Sequence, residues 1–111
     1  MAIGRFEVPK GERILLKVTT GDGQPGGISV RMNAQLLAEG IGSLEHDLGD
    51  GSALRGQTLL VDVATRQSHG ATVWVSAQIE LSTAALQTTL DERRQAQSGE
   101  TLILPFSVRF H

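Results

Sequence analysis

Strict alternation of apolar and polar residues is the feature that most constrains this chain. Between Ala71 and Leu81, every odd-numbered side chain is apolar, whereas the intervening residues are Thr, Trp, Ser, Gln and Glu. A period of two places successive side chains on opposite faces of a strand, while a helix would carry polar residues in its apolar stripe. The segment therefore predicts a β-strand with one buried face.

The same kind of segment recurs along the chain. Four further stretches alternate or are apolar enough to form a strand: residues 14–19, 28–36, 59–65 and 102–110. Glycine-rich stretches that contain Asp-Gly, at residues 21–27 and 49–52, lie between them and are typical of turns. The sequence thus predicts one all-β domain over residues 1–111, an antiparallel β-sandwich of about six to eight strands.

Residues 83–98 fit two interpretations. A helix is favoured by Ser82 or Thr83 as its N-cap, by Leu86 and Leu90, which lie four residues apart, and by Gly99 as the residue that ends it. A short strand near Leu86–Leu90 with a charged turn after it is the alternative, because the apolar stripe is thin and two adjacent threonines are poor helix formers. Both interpretations remain open at this point.

Two local features carry predictions about connections. Pro105 has no backbone N–H to donate, so the C-terminal strand should be an edge strand or contain a bulge there. The tripeptide Ser68-His69-Gly70 is predicted to be a hairpin turn between the segments 59–65 and 71–81.

Composition excludes several classes of function. Ten Lys and Arg residues against twelve Asp and Glu give a net charge of −2, which offers no basic surface for nucleic acid. The chain has no cysteine, which excludes disulfides, thiolate zinc sites, iron–sulfur clusters and a cysteine nucleophile. No apolar run approaches the length of a membrane span or a signal peptide, so we expect no membrane insertion and a cytoplasmic protein as written. A mature secreted domain with an added Met would have the same sequence.

Residues that could carry catalysis or bind a metal show no specific pattern. His46, His69 and His111 lack ligand spacing, and the acids of residues 45–50 do not match a calcium-binding loop. Ser68 beside His69 is not part of a nucleophile elbow. We therefore expect no catalytic residue, no metal, no cofactor and no enzymatic activity.

Apolar residues on the predicted outer faces hold the remaining information. Five of them alternate with the core positions, namely Leu15, Leu60, Ala64, Trp74 and Ile103. One explanation is that another part of the chain covers them, such as residues 83–98 or a second sheet. The other is that a partner chain covers them, since exposed apolar patches mark interaction sites.

Trp74 is the only tryptophan and lies among hydrogen-bonding side chains, as a binding aromatic would. The alternative is a Trp that packs over its neighbours. If the strands are neighbours, the predicted binding residues are Trp74, Gln78, Arg31, Asn33 and Arg109.

The leading hypothesis is a non-catalytic interaction or assembly module that binds another protein or itself through an outer sheet face or an edge strand. The alternative is a small ligand-binding sandwich for carbohydrate, with calcium assistance, that uses the loops at residues 21–27 and 45–52.

Overall fold

The computed structural model describes residues 1–21, 24–67 and 73–111. These residues form nine strands and one short helix, which confirms the all-β prediction. In chain order the elements are β1 (Ala2–Phe6), β2 (Arg13–Thr20), β3 (Gln24–Met32), β4 (Gln35–Ile41), β5 (Ser43–Asp50), α1 (Gly51–Leu54), β6 (Thr58–Arg66), β7 (Val73–Ser82), β8 (Gln87–Ala96) and β9 (Thr101–Phe110). No described helix is long and apolar enough to cross a membrane.

Burial follows the alternation in the sequence. In β7, Val75 and Ile79 are buried, whereas Trp74 is exposed. In β9, Leu104 is buried and its neighbour Ile103 is exposed. Since successive side chains of a strand point to opposite faces, each of these strands has one face in the core and one outside.

The strands form a sandwich with two layers. Hydrogen-bonded neighbours follow the order β1-β9-β6-β3-β4-β5-β2-β7-β8, and all of them are antiparallel except β1 with β9. Strands β4 and β5 share a single pairing, Ile41 with Ser43, so the sheet folds over there. The first layer therefore contains β1, β9, β6, β3 and β4, and the second contains β5, β2, β7 and β8.

The core lies between the inward faces of the two layers. Leu16 and Ile79 enter it from the second layer, and Phe106 enters it from the first. Phe6 and Phe110 are register partners whose rings meet edge to face, with centroids 6.1 Å apart. This contact stabilises the pairing of β1 with β9. Each large side chain buried in this way contributes about 1.5–3 kcal/mol.

The fold between β4 and β5 depends on Gly42. Its φ of 76° lies in the left-handed region that glycine enters without strain. Its N–H donates to the Gly26 carbonyl, at 3.1 Å, and its carbonyl accepts from both the N–H and the hydroxyl of Thr20. These hydrogen bonds join Gly42 to β2 and β3, one strand from each layer.

The free edges of β1 and β8 meet on the other side of the sandwich. A Cβ atom built on Gly4 would lie 2.7 Å from Cδ1 of Leu90, a half-buried residue of β8. A side chain at Gly4 would require Leu90 to move, so its absence lets the two edges approach. Packing, and not backbone freedom, favours glycine here.

Residues 83–98 contain no helix. Gln87–Ala96 form β8, an edge strand that pairs with β7, and the residues expected to make a charged turn, 91–94, lie within this strand. The helix interpretation is therefore wrong, and the described part of the chain has its helix at Gly51–Leu54. There the Asp50 side chain accepts from the Ser52 N–H at 2.8 Å and caps the helix.

Two predicted connections differ in the structure. Residues 28–36 are not one strand, because Asn33 and Ala34 have φ values of 50° and 67° and turn the chain between β3 and β4. The tripeptide at 68–70 lies outside the described residues. The hairpin predicted around it is wrong, since β6 and β7 are not neighbours and belong to different layers.

Pro105 lies in an interior strand, because β9 runs between β6 and β1. The pairing with β1 begins at Ala2 and Phe106, so β9 has only β6 as its paired neighbour at Pro105. The prediction of an edge strand is wrong for β9 as a whole, although Pro105 itself lies on a locally unpaired edge. This position is consistent with its missing N–H.

Candidate interaction surface

The outward side of the first layer exposes large apolar side chains, and we call this surface the apolar face. Its main residues are Ile3 of β1, Leu60 of β6, Ile103 of β9 and Ile41 of β4, with exposed fractions of 74%, 38%, 56% and 80%. Ser107 pairs with both Ile3 and Leu60, which places these two residues in one row. Apolar groups gathered on one open sheet face are typical of an interaction surface.

An open cleft of about 670 Å³ lies on the apolar face. Ile41 and Ile103 belong to its apolar lining, and its polar side chains are Ser29, Glu39 and Asp62. Ser29 pairs with Asp62 on one side and with Glu39 on the other, so all three lie in one row across the strands. Within the described residues, neither carboxylate has an ion pair or a hydrogen bond. We call this site the carboxylate cleft.

Two arginines lie at the opposite end of the apolar face. Arg5 of β1 and Arg109 of β9 are register partners, and we call them the arginine row. Nη1 of Arg109 donates to the Thr58 hydroxyl at 3.5 Å, and neither guanidinium has an ion pair with a described residue. Like charges side by side on a sheet repel, so the arginine row is an unneutralised positive site.

The five residues predicted to bind together do not share a face. Trp74 and Gln78 point outward from β7 in the second layer, whereas Arg31 and Arg109 point outward from β3 and β9 in the first. Asn33 lies in the turn between β3 and β4. Because β7 neighbours only β2 and β8, the structure does not bring these residues into one patch around Trp74.

Trp74 is half exposed, at 49%. The guanidinium carbon of Arg93 lies 4.8 Å from the centre of its ring, a cation–π contact between neighbouring strands. Gln78 donates to Asp91 Oδ1 at 2.9 Å in the same pair of strands. Residues 83–98 therefore supply neighbours to Trp74 without burying it.

The loop predicted at residues 45–52 is wrong, because Ser43–Asp50 form β5 and Gly51–Leu54 form α1. In the loop predicted at 21–27, residues 24–27 belong to β3, and 22–23 lie outside the described residues. The ligand-binding alternative stays a prediction that a thermal melt with and without calcium can test.

Two carboxylates of the 45–52 segment, Asp47 and Asp50, are engaged in structural contacts. Asp47 accepts from Arg13 Nε at 2.9 Å and from the Gly49 N–H at 2.8 Å. The hydrogen bond from Arg13 is the main reason that the pKa of Asp47 is lowered and the pKa of Arg13 is raised. Across residues 1–21, 24–67 and 73–111, no three His, Asp or Glu side chains are placed to hold a metal ion.

Ile3, Arg5, Ile41, Glu39 and Asp62 were not among the residues predicted to form a site. The signal for β1 was present, since Ile3 and Arg5 alternate with Ala2, Gly4 and Phe6. Among these inward residues only Phe6 is large, so the alternation was too weak to predict a strand. The carboxylate cleft had no local signal, because its residues come from three separate strands.

No protein-family model, curated protein or solved structure matches this chain. The features that bear on function are therefore those of the surface itself: the apolar face, the carboxylate cleft and the arginine row.

Proposed function

We propose that this chain is a non-catalytic protein-interaction module that docks through the apolar face of its first layer. The observation that carries the proposal is the collection of four large exposed aliphatic side chains on one sheet face. Exposure of large apolar side chains costs free energy in water, and a partner that covers them recovers about 25 cal/mol per Å² of apolar area.

The two outer faces differ in a way that favours this side of the sandwich. The second layer exposes two large apolar side chains, Leu15 and Trp74, against four on the apolar face, and polar or charged residues lie between the apolar ones on both faces. Trp74 also has Arg93 over its ring, so part of its surface is already in contact.

Polar groups around the apolar face fit a protein partner. Interfaces combine a buried apolar centre with a polar rim, and arginine is enriched in them. Here Leu60 would lie at the centre, while the carboxylate cleft and the arginine row would select a partner by charge. The cleft is open and broad, whereas small-molecule sites enclose most of their ligand.

Site-specific photo-cross-linking tests this proposal. A benzophenone amino acid replaces Ile3, at the rim of the apolar face, in the full chain expressed in its source cells. The matched control carries it at Thr89, an exposed outward position of β8 in the second layer. We expect protein adducts from position 3 and few from position 89. Equal adduct yields at both positions, or none at position 3, would overturn the proposal.

A further inference from the structure

We propose that the partner is a second copy of this chain, and that two apolar faces pack against each other about a two-fold axis. In this arrangement Arg5 and Arg109 of each copy enter the carboxylate cleft of the other. The inference rests on the proposed function, since it names the occupant of the same face. Four observations carry it: the order of charges, their lack of partners, the shape of the cleft and the area of the face.

The carboxylate cleft and the arginine row lie at different ends of the apolar face, so these two sites complement each other, while Arg31 lies beside Leu60 and Arg66 lies beyond Ala64 on the same face. The carboxylate cleft lies toward β4, β3 and β6, and the arginine row lies at the other end of β9 and β1. On β6, Leu60 is the outward residue between Asp62 and Thr58, and Thr58 pairs with Arg109. A two-fold axis in the plane of the face through Leu60 therefore exchanges the acidic and basic ends, as an isologous interface requires.

Both charged sites lack a counterion within the described residues. Glu39 and Asp62 have no cation, and Arg5 and Arg109 have no carboxylate. In one copy, the two arginines are register partners on neighbouring strands, and like charges in such pairs repel each other. In the pair of copies, each positive site faces a negative one, and the same contacts recur twice because the interface is symmetric.

The shape and chemistry of the carboxylate cleft suit arginine. An arginine side chain has an apolar stem and a planar guanidinium that donates to carboxylates in pairs. The cleft offers Ile41, Ala64 and Ile103 to the stem, and Asp62 to the guanidinium. The chain itself supplies the arginines on the same surface, so no other protein is needed to explain the complementarity.

The area of the face is at the lower end of what a specific dimer needs. Five strands about 4.8 Å apart span about 20 Å, and strands of five to ten residues extend about 27 Å on average. The face thus covers about 500 Å² per copy, or about 1,000 Å² in total. Biological interfaces bury at least about 1,000 Å², so the dimer requires that nearly the whole face is covered.

Sedimentation velocity of the full chain over a wide range of concentrations tests the proposal. We expect a dimer that dissociates on dilution and in high salt, since exposed charge pairs are screened. A charge-reversed variant Arg5→Glu/Arg109→Glu, and a second variant Glu39→Arg/Asp62→Arg, should each dimerise at least about a hundredfold more weakly. An equal mixture of the two should form a heterodimer within about tenfold of the original affinity, because the reversed charges are then complementary.

A matched pair of leucine variants avoids dependence on the charged residues. Leu60→Arg replaces the apolar side chain on the proposed axis with a charge that adds to that of Arg31, its register partner, and should abolish the dimer, whereas Leu15→Arg, on the outer face of the second layer, should leave it unchanged. Far-UV circular dichroism of each variant verifies that it is folded. A chain that stays monomeric at every concentration, or a dimer that survives Leu60→Arg as well as it survives Leu15→Arg, would overturn the proposal.

The cross-links from position 3 separate this proposal from the function on which it rests. An adduct between two copies of the chain supports both proposals. Adducts only with a different protein, from a chain that is monomeric in sedimentation, overturn the second-copy proposal and leave the proposed function in place. A monomeric chain that yields no adduct removes both.

Discussion

The contact between Gly4 and Leu90 closes the sandwich where the edges of its two layers meet, and a volume exchange there should reveal it. Gly4→Val adds three carbon atoms where a Cβ alone would already lie 2.7 Å from Leu90 Cδ1. Overpacking of this kind costs about 1–3 kcal/mol. Leu90→Ala removes three carbon atoms at the same place and, because Leu90 is half buried, costs about 1–2 kcal/mol, less than for a fully buried leucine.

The double variant Gly4→Val/Leu90→Ala should therefore be more stable than the sum of the single effects, with a coupling energy of about 1–2 kcal/mol. Equilibrium unfolding in urea, followed by circular dichroism, measures all four members of the cycle at one protein concentration. Leu86→Ala provides a matched control, because Leu86 is exposed and precedes Leu90 by four residues. Additive effects of Gly4→Val and Leu90→Ala, or equal coupling with Leu86→Ala, would refute this packing.

Three further predictions concern the second layer and the helix cap. The Arg13 hydrogen bond holds the folded-state pKa of Asp47 below its usual 3.8, so the pair stabilises the fold above that pH and loses its effect as the pH falls through the folded-state pKa. An NMR titration should show that the titration midpoint of Asp47 rises in Arg13→Gln, and an unchanged midpoint would contradict this. Asp50→Ala removes the cap of α1 and should destabilise the chain by about 0.5–1 kcal/mol in urea unfolding, whereas no change would argue against the cap. Trp74 is half exposed, so its fluorescence should be quenched by acrylamide, a neutral quencher, and quenched further in Arg93→Ala. Emission that acrylamide does not quench would show that the ring is covered.

Strands with one strongly apolar face could be predicted from the sequence, and edge strands could not. The inward positions of β7 and β9 are all apolar, so burial and sequence share one period. In β8 the inward positions include Thr88, Glu92 and Arg94, with Leu90 as the large apolar member. Charged inward residues protect a sheet edge from pairing with other chains. The same residues interrupt the alternation of apolar and polar positions, so the strand cannot be predicted from that alternation.

The strand order could not be predicted from neighbouring residues in the sequence, for a different physical reason. The sequence at 68–70 favours a hairpin turn, yet β6 and β7 lie in different layers. β6 pairs with β3 and β9, whereas β7 pairs with β2 and β8, which are distant in the sequence or follow later in the chain. The candidate surface depends on this order. Arg109 lies near Arg5 only because β1 pairs with β9, and Trp74 lies far from both in the strand order because β7 pairs with β2 and β8.

Every second side chain of the strands enters one core shared by two layers. Leu15 and Leu16 give the sharpest comparison, since these neighbours in β2 are the same residue type with exposed fractions of 51% and 1%. Leu16→Ala should lower the free energy of unfolding by about 2–5 kcal/mol, and Leu15→Ala should lower it by less than about 0.5 kcal/mol. Equal losses for the two variants, or a larger loss for Leu15→Ala, would contradict the account.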